Sequence, residues 1–212
     1  MGREPPQISR QKIKGSCPRK DGSMISELLQ KASLYSLLYQ IDTDLASQCR
    51  LKGCIFCGGP LHQANYERKP RGGPGDLPEE YLVRQSLCCG REGCRRRCLP
   101  PSSLFMGRWV YFAAVIVVVM ALRENRPDSE SAVKLRMMFG ISRKTFLRWV
   151  AYFRETFPLS RQWQKLRGRA PSSVSNHQLP GSLLEHFIRC ADSSKEGLVG
   201  CLQFLACGHA GL

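Results

Sequence analysis

Residues 53–59 read Gly-Cys-Ile-Phe-Cys-Gly-Gly, and residues 88–97 read Cys-Cys-Gly-Arg-Glu-Gly-Cys-Arg-Arg-Arg. Cysteines a few residues apart bring two sulfurs to one side of a tight turn. Two such hooks, about thirty residues apart, close a tetrahedron of thiolates, which is the sequence form of a four-cysteine zinc site. The expected ligands are Cys54, Cys57, Cys89 and Cys94. Glycines beside both hooks let backbone amides turn toward the sulfurs. Neighbours on a strand point to opposite sides, so only one of Cys88 and Cys89 should ligate. Cys98 and His62 are further candidates, His62 reading more simply as a surface or packing histidine. Four thiolates leave no position for water, so the expected Zn2+ is structural rather than catalytic.

Arg91, Arg95, Arg96 and Arg97 surround the second hook. A rigid knuckle presenting arginines suits phosphates, so Arg95, Arg96 and Arg97 are expected to clamp a nucleic-acid backbone; the bland reading is a solvated charge run. The whole chain carries 32 Lys+Arg against 17 Asp+Glu, a net charge of +15. Such an excess favours polyanions.

Eleven cysteines raise the alternative of a secreted disulfide scaffold. The odd count, the metal-type spacings and a polar start with Pro5 and Pro6 argue for a reducing, cytoplasmic setting, next to the nucleoid. Trp109–Leu122 is an uncharged run of 14 residues, short of the ~20 that a spanning helix needs. A buried core helix, or a strand followed by a helical turn, is expected, and periodicity does not decide between them.

A second pattern lies at 131–149, SAVKLRMMFGISRKTFLRW. With Gly140 as the turn glycine of a helix-turn-helix, the positions that must be buried are Leu135, Phe139, Ile141, Phe146 and Trp149, and all are apolar. Ser142 is a suitable N-cap for the second helix. That helix presents Arg143, Lys144, Thr145 and Arg148, residue types that suit phosphates and guanine edges in a major groove. Arg136 departs from the pattern, standing where a small residue usually meets the second helix. Trp149, Tyr152, Phe153 and Phe157 should extend the helical core.

These readings make an α+β fold, a small zinc ribbon followed by a mainly helical helix-turn-helix domain. The expected organisation is a disordered basic tail at 1–23, a helical lead-in at 24–50 and the zinc ribbon at 51–100. A buried apolar connector follows at 101–126, the helix-turn-helix at 127–169 with Asp128 or Ser129 as its first cap, and short C-terminal helices at 170–212. Asp42 and Asp44 should cap or interrupt the lead-in helix.

The chain resembles a family of bacterial proteins associated with transposons and insertion sequences. The motifs that carry the resemblance are Cys54–Gly59, the basic loop Arg68–Gly72, the hook Cys88–Arg97, Pro100–Ser102 and Gly140–Trp149. Cys98 and Trp109 depart from it, at places where polar or basic residues are expected. The resemblance implies a DNA-binding accessory to an insertion-sequence transposase, or a remnant of one, with duplex DNA and a transposase as partners.

No catalytic constellation accompanies this. A cut-and-paste transposase needs three carboxylates on a sheet to hold two metal ions, whereas Glu185, Asp192 and Glu196 fall on terminal segments without a strand pattern. The chain therefore reads as a DNA-binding protein and not an enzyme. The alternatives are an RNA-binding zinc-ribbon protein and a truncated transposase lacking its catalytic domain.

Overall fold

The computed structural model describes residues 21–122 and 130–208. Residues 1–20 of the expected tail and the candidate caps Asp128 and Ser129 lie outside this part. The fold is α+β. The lead-in is two helices, α1 (Asp21–Leu28) and α2 (Ala32–Lys52), so residues 21–23 belong to a helix and not to the tail. The cysteine module follows with five short strands: β1 (Leu61–Gln63), β2 (Tyr66–Glu67), β3 (Val83–Arg84), β4 (Leu87–Cys89) and β5 (Arg97–Cys98). Strands β1, β4 and β5 form an antiparallel sheet with Leu61 opposite Cys89 and Cys88 opposite Arg97; β2 pairs separately with β3.

The remaining elements are helical: α3 (Ala113–Leu122), α4 (Glu130–Met138), α5 (Arg143–Ala151), α6 (Arg161–Arg167), α7 (Gly181–Arg189) and α8 (Ser194–Cys207). The centre is α3. Its five consecutive β-branched residues, Val115 to Val119, favour a strand by propensity, yet each is 0% exposed in a helix. Burial outweighs the propensity cost, and backbone pairing decides against a strand. Helix propensity costs such residues up to ~0.7 kcal/mol each relative to alanine, whereas burying each side chain contributes roughly 1.5–3 kcal/mol. A buried strand here would also need partners for its backbone polar groups, which a helix supplies internally. α1, α4, α5, α7 and α8 all pack on α3.

The C-terminal helices belong to this same core. α8 is four turns long, not short as expected, and it lies close against α7. A Cβ at Gly197 would come 2.6 Å from Ile188 Cα, so only glycine fits at that crossing.

Two polar anchors join the parts. Asp42, on a buried face of α2, neither caps nor interrupts the helix. It accepts hydrogen bonds from the Ser102 hydroxyl and from the Ser103 amide at 2.6 Å, and Ser102 Oγ in turn accepts from the Phe105 amide. The basic loop is the second anchor. Arg68 donates to the carbonyls of Gly107 (3.0 Å) and Trp109 (2.6 Å), and Arg71 forms a bridge with Tyr111. Gly72 has φ 85°, and a Cβ on Gly73 would meet the Phe112 ring at 2.6 Å. The basic loop is thus pressed onto the start of α3.

Burial pushes the Asp42 carboxyl up to about 6, against the lowering effect of its hydrogen bonds and of Arg84. Raised above the unfolded value of about 3.9, it contributes stability that is fully present below pH ~4 and lost as pH rises through about 6. Asp42→Asn should therefore gain about 2–3 kcal/mol relative to wild type between pH 4 and pH 7, read as the change in the difference between their denaturant-unfolding free energies. An unchanged difference across that range would show that Asp42 stays ionised in the fold.

Candidate metal centre and helical face

The first hook begins where α2 ends, at Gly53 with φ 76°. The Gly58 amide donates to the Cys54 carbonyl at 2.7 Å and the Cys54 amide to the Gly59 carbonyl at 2.9 Å, closing the turn around Cys57. At Gly59 a Cβ would lie 3.2 Å from the Cys89 sulfur and 3.3 Å from that of Cys57, so glycine makes room for the second hook. That hook leaves β4 at Cys89 and turns through Gly93 (φ 83°) and Arg95 (φ 45°). The Gly90 amide donates to the Pro60 carbonyl at 2.9 Å and ties the two hooks together.

The sulfurs of Cys54, Cys57, Cys89 and Cys94 all lie within 4.8 Å of one another. Cys54 and Cys94 are 3.8 Å apart, and Cys57 and Cys89 are 3.5 Å apart. A tetrahedron with metal–sulfur bonds of ~2.3 Å has edges of ~3.8 Å, so the cluster has the dimensions of a four-thiolate metal site. Backbone amides support it two residues beyond three of the cysteines: Phe56 N–H points to Cys54, Arg91 N–H to Cys89 at 3.4 Å, and Arg96 N–H to Cys94.

The electrostatics follow from crowding. The Phe56 amide, helped by the Cys57 amide, holds the Cys54 thiol down to about 6. At Cys89 the Arg91 amide also acts to lower the thiol, but burial and the neighbouring sulfurs outweigh it and push the group up to about 12. Four adjacent sulfurs cannot all carry charge unless a cation sits among them.

Cys88 points away from this group, with its sulfur 3.5 Å from the Arg95 carbonyl; the strand alternation places Cys89 inside. Cys98 and Cys49 are half-buried against the cluster without joining it. His62 is exposed, and its ring covers Gly90, where a Cβ would come 2.4 Å from Nε2. Arg95, Arg96 and Arg97 are all exposed. Arg96 lies over the Phe56 ring at 4.5 Å and Arg97 over Tyr66 at 5.6 Å.

In the helical part, Leu135, Phe139, Ile141, Phe146 and Trp149 are all buried. α4 ends in a left-handed Gly140 (φ 59°). The Ile141 amide donates to the Arg136 carbonyl at 2.8 Å and the Gly140 amide to that of Met137 at 3.2 Å, the paired bonds of a Schellman stop. Ser142 Oγ then accepts from the Thr145 amide at 3.1 Å and caps α5. Arg136 is half-buried with its guanidinium over Phe146 at 5.8 Å. Arg143, Lys144 and Arg148 are exposed along α5. Thr145 is half-buried and its hydroxyl accepts from Ser142, so its side chain serves the cap.

Two groups escaped the sequence reading. Trp109, which looked like a departure from a polar position, stacks on Trp149 at 5.9 Å and meets Tyr152 edge-on at 4.6 Å. Tyr111 contacts Trp149 and donates its hydroxyl proton to the Gly140 carbonyl at 2.9 Å. Together they fix α5 and the turn before it. The aromatic start of the apolar run was the available signal, but nothing local says which helix it meets. Arg84 is buried and donates to the Gln85 and Pro100 carbonyls, a role that needs the fold to be seen.

No protein-family model, curated protein or solved structure matches this chain. No helix among the described residues is long and apolar enough to cross a membrane.

The two adjacent cysteines give a paired test of the centre. Cys88→Ser should keep the metal content of wild type by elemental analysis, whereas Cys89→Ser should lose it and unfold several kcal/mol more easily. Equal metal content in both variants would rule out this ligand set.

Proposed function

We propose that this chain is a zinc-stabilised protein that binds duplex DNA, an accessory or regulator associated with a transposable element, with no catalysis of its own. An all-sulfur set of these dimensions suits zinc, and two hooks that meet at one end of a small antiparallel sheet support the zinc-ribbon reading. The ribbon would act as a rigid scaffold for Arg95, Arg96 and Arg97 on phosphates.

The observation that carries DNA binding is the 130–151 pair. Its five key apolar positions are buried and its turn glycine is left-handed. Its second helix, capped by Ser142, directs Lys144, Leu147 and Arg148 to solvent. This is the layout in which a helix-turn-helix sets its second helix in a major groove. Arg143, Lys144 and Arg148 would contact phosphates and base edges there, with Thr145 at the helix start. The net charge of +15 supports a polyanionic partner. The association with a transposable element, and a transposase as second partner, rest on the order of the motifs along the chain.

Replacing Lys144 and Arg148 together by alanine touches only exposed side chains. Duplex affinity should fall roughly ten- to hundredfold, and the slope of log affinity against log salt should shrink by about two. Structured RNA should compete poorly. Unchanged duplex affinity in the variant, or RNA competing better than DNA, would move the function to the RNA-binding reading.

A further inference from the structure

A single exposed phenylalanine is ordinary, but Phe56 differs in three ways. It is 49% exposed although it sits between two cysteines of the sulfur cluster. The Arg96 guanidinium lies 4.5 Å above its ring. Both residues are held by the cluster itself, since the Phe56 amide points to the Cys54 sulfur and the Arg96 amide to that of Cys94. Those two sulfurs are 3.8 Å apart. The pair is thus a cationic, aromatic surface anchored through its backbone to the cluster, with Arg91 and Arg95 also exposed beside it on the second hook.

Duplex phosphates need charge but no aromatic face. Unpaired nucleotides use both, because a base stacks on an aromatic ring or a guanidinium plane while basic side chains hold the flanking phosphates. We propose that Phe56 and Arg96 form a stacking site for an unpaired base, so that the cysteine module binds single-stranded nucleotides beside the duplex held by α5. The duplex part of this statement rests on the function proposed above; the stacking site does not. Fraying at the end of a duplex is the class of event that would supply such nucleotides.

The test uses the full metal-loaded chain and four fluorescent probes: a blunt duplex, the same duplex with a short single-stranded DNA extension, and free single strands of DNA and of RNA. The extension should tighten binding on the order of tenfold. Phe56→Ala should abolish that gain while leaving metal content and blunt-duplex affinity unchanged. Arg96→Lys keeps the charge but loses the flat face, and should lose most of the gain. An extension that adds nothing, or a gain that survives Phe56→Ala, overturns the stacking site alone. Single-strand binding that depends on Phe56, with no affinity for blunt duplex, upholds the stacking site and refutes the helical reading. Comparing the free DNA and RNA strands identifies which sugar the site prefers, and dependence on Phe56 with either one supports it.

Discussion

The burial of α3 from Ala113 to Met120 is the constraint on which the rest of the structure depends. A helix with no exposed face must be covered on every side. α1, α4, α5, α7 and α8 do that covering, and the basic loop closes its N-terminal end through Gly72 and Gly73. The position of α5 follows from this. Its inner face packs into the core through Phe146, Trp149 and Val150, and Trp109 and Tyr111, just before α3, grip Trp149 and Gly140. The outward direction of Lys144 and Arg148 is therefore a consequence of core packing and not a local preference.

The cysteine module obeys a different economy. Its own core is small: Cys54, Leu61, Leu87 and Cys89 are its buried apolar residues. So little apolar area cannot order a loop-rich segment by itself, and a metal bound by four thiolates provides the missing free energy in such modules. The backbone agrees with that role. Left-handed residues at 53, 58, 93 and 95 bend the chain around the sulfurs, and the amides of Phe56, Cys57, Arg91 and Arg96 point at them. The module is also tied to the helical part through Arg71–Tyr111, Arg68 and the Asp42–Ser102–Ser103 contact.

What was legible in the sequence was local. The four cysteines that meet, the rule that only one of Cys88 and Cys89 can turn inward, the Ser142 cap and the five buried positions around Gly140 all follow from spacing within a few residues or from strand alternation. What was not legible depends on distant partners. Asp42 meets Ser102 some sixty residues on, Arg68 meets Gly107 and Trp109, and Arg84 meets Pro100. A charged residue in a turn-rich loop gives no sign that its guanidinium will bind carbonyls inside the fold. The Val-rich run was ambiguous between strand and helix because an all-apolar stretch has no polar positions to reveal a period of 2 or of 3.6. The extent of α8 was not legible because glycine is a poor helix former, and only the fold shows Gly197 and Gly200 filling the close approach to Ile188 and Phe187 on α7.

The central claim is that a metal-ordered, basic chain grips duplex DNA. Equilibrium binding of the metal-loaded full chain to a blunt duplex, measured across salt concentrations, tests it most directly. The account predicts that log affinity falls linearly with log salt, with a slope equivalent to at least three phosphate contacts. A folded, metal-loaded chain with no salt-dependent affinity for duplex DNA would contradict it.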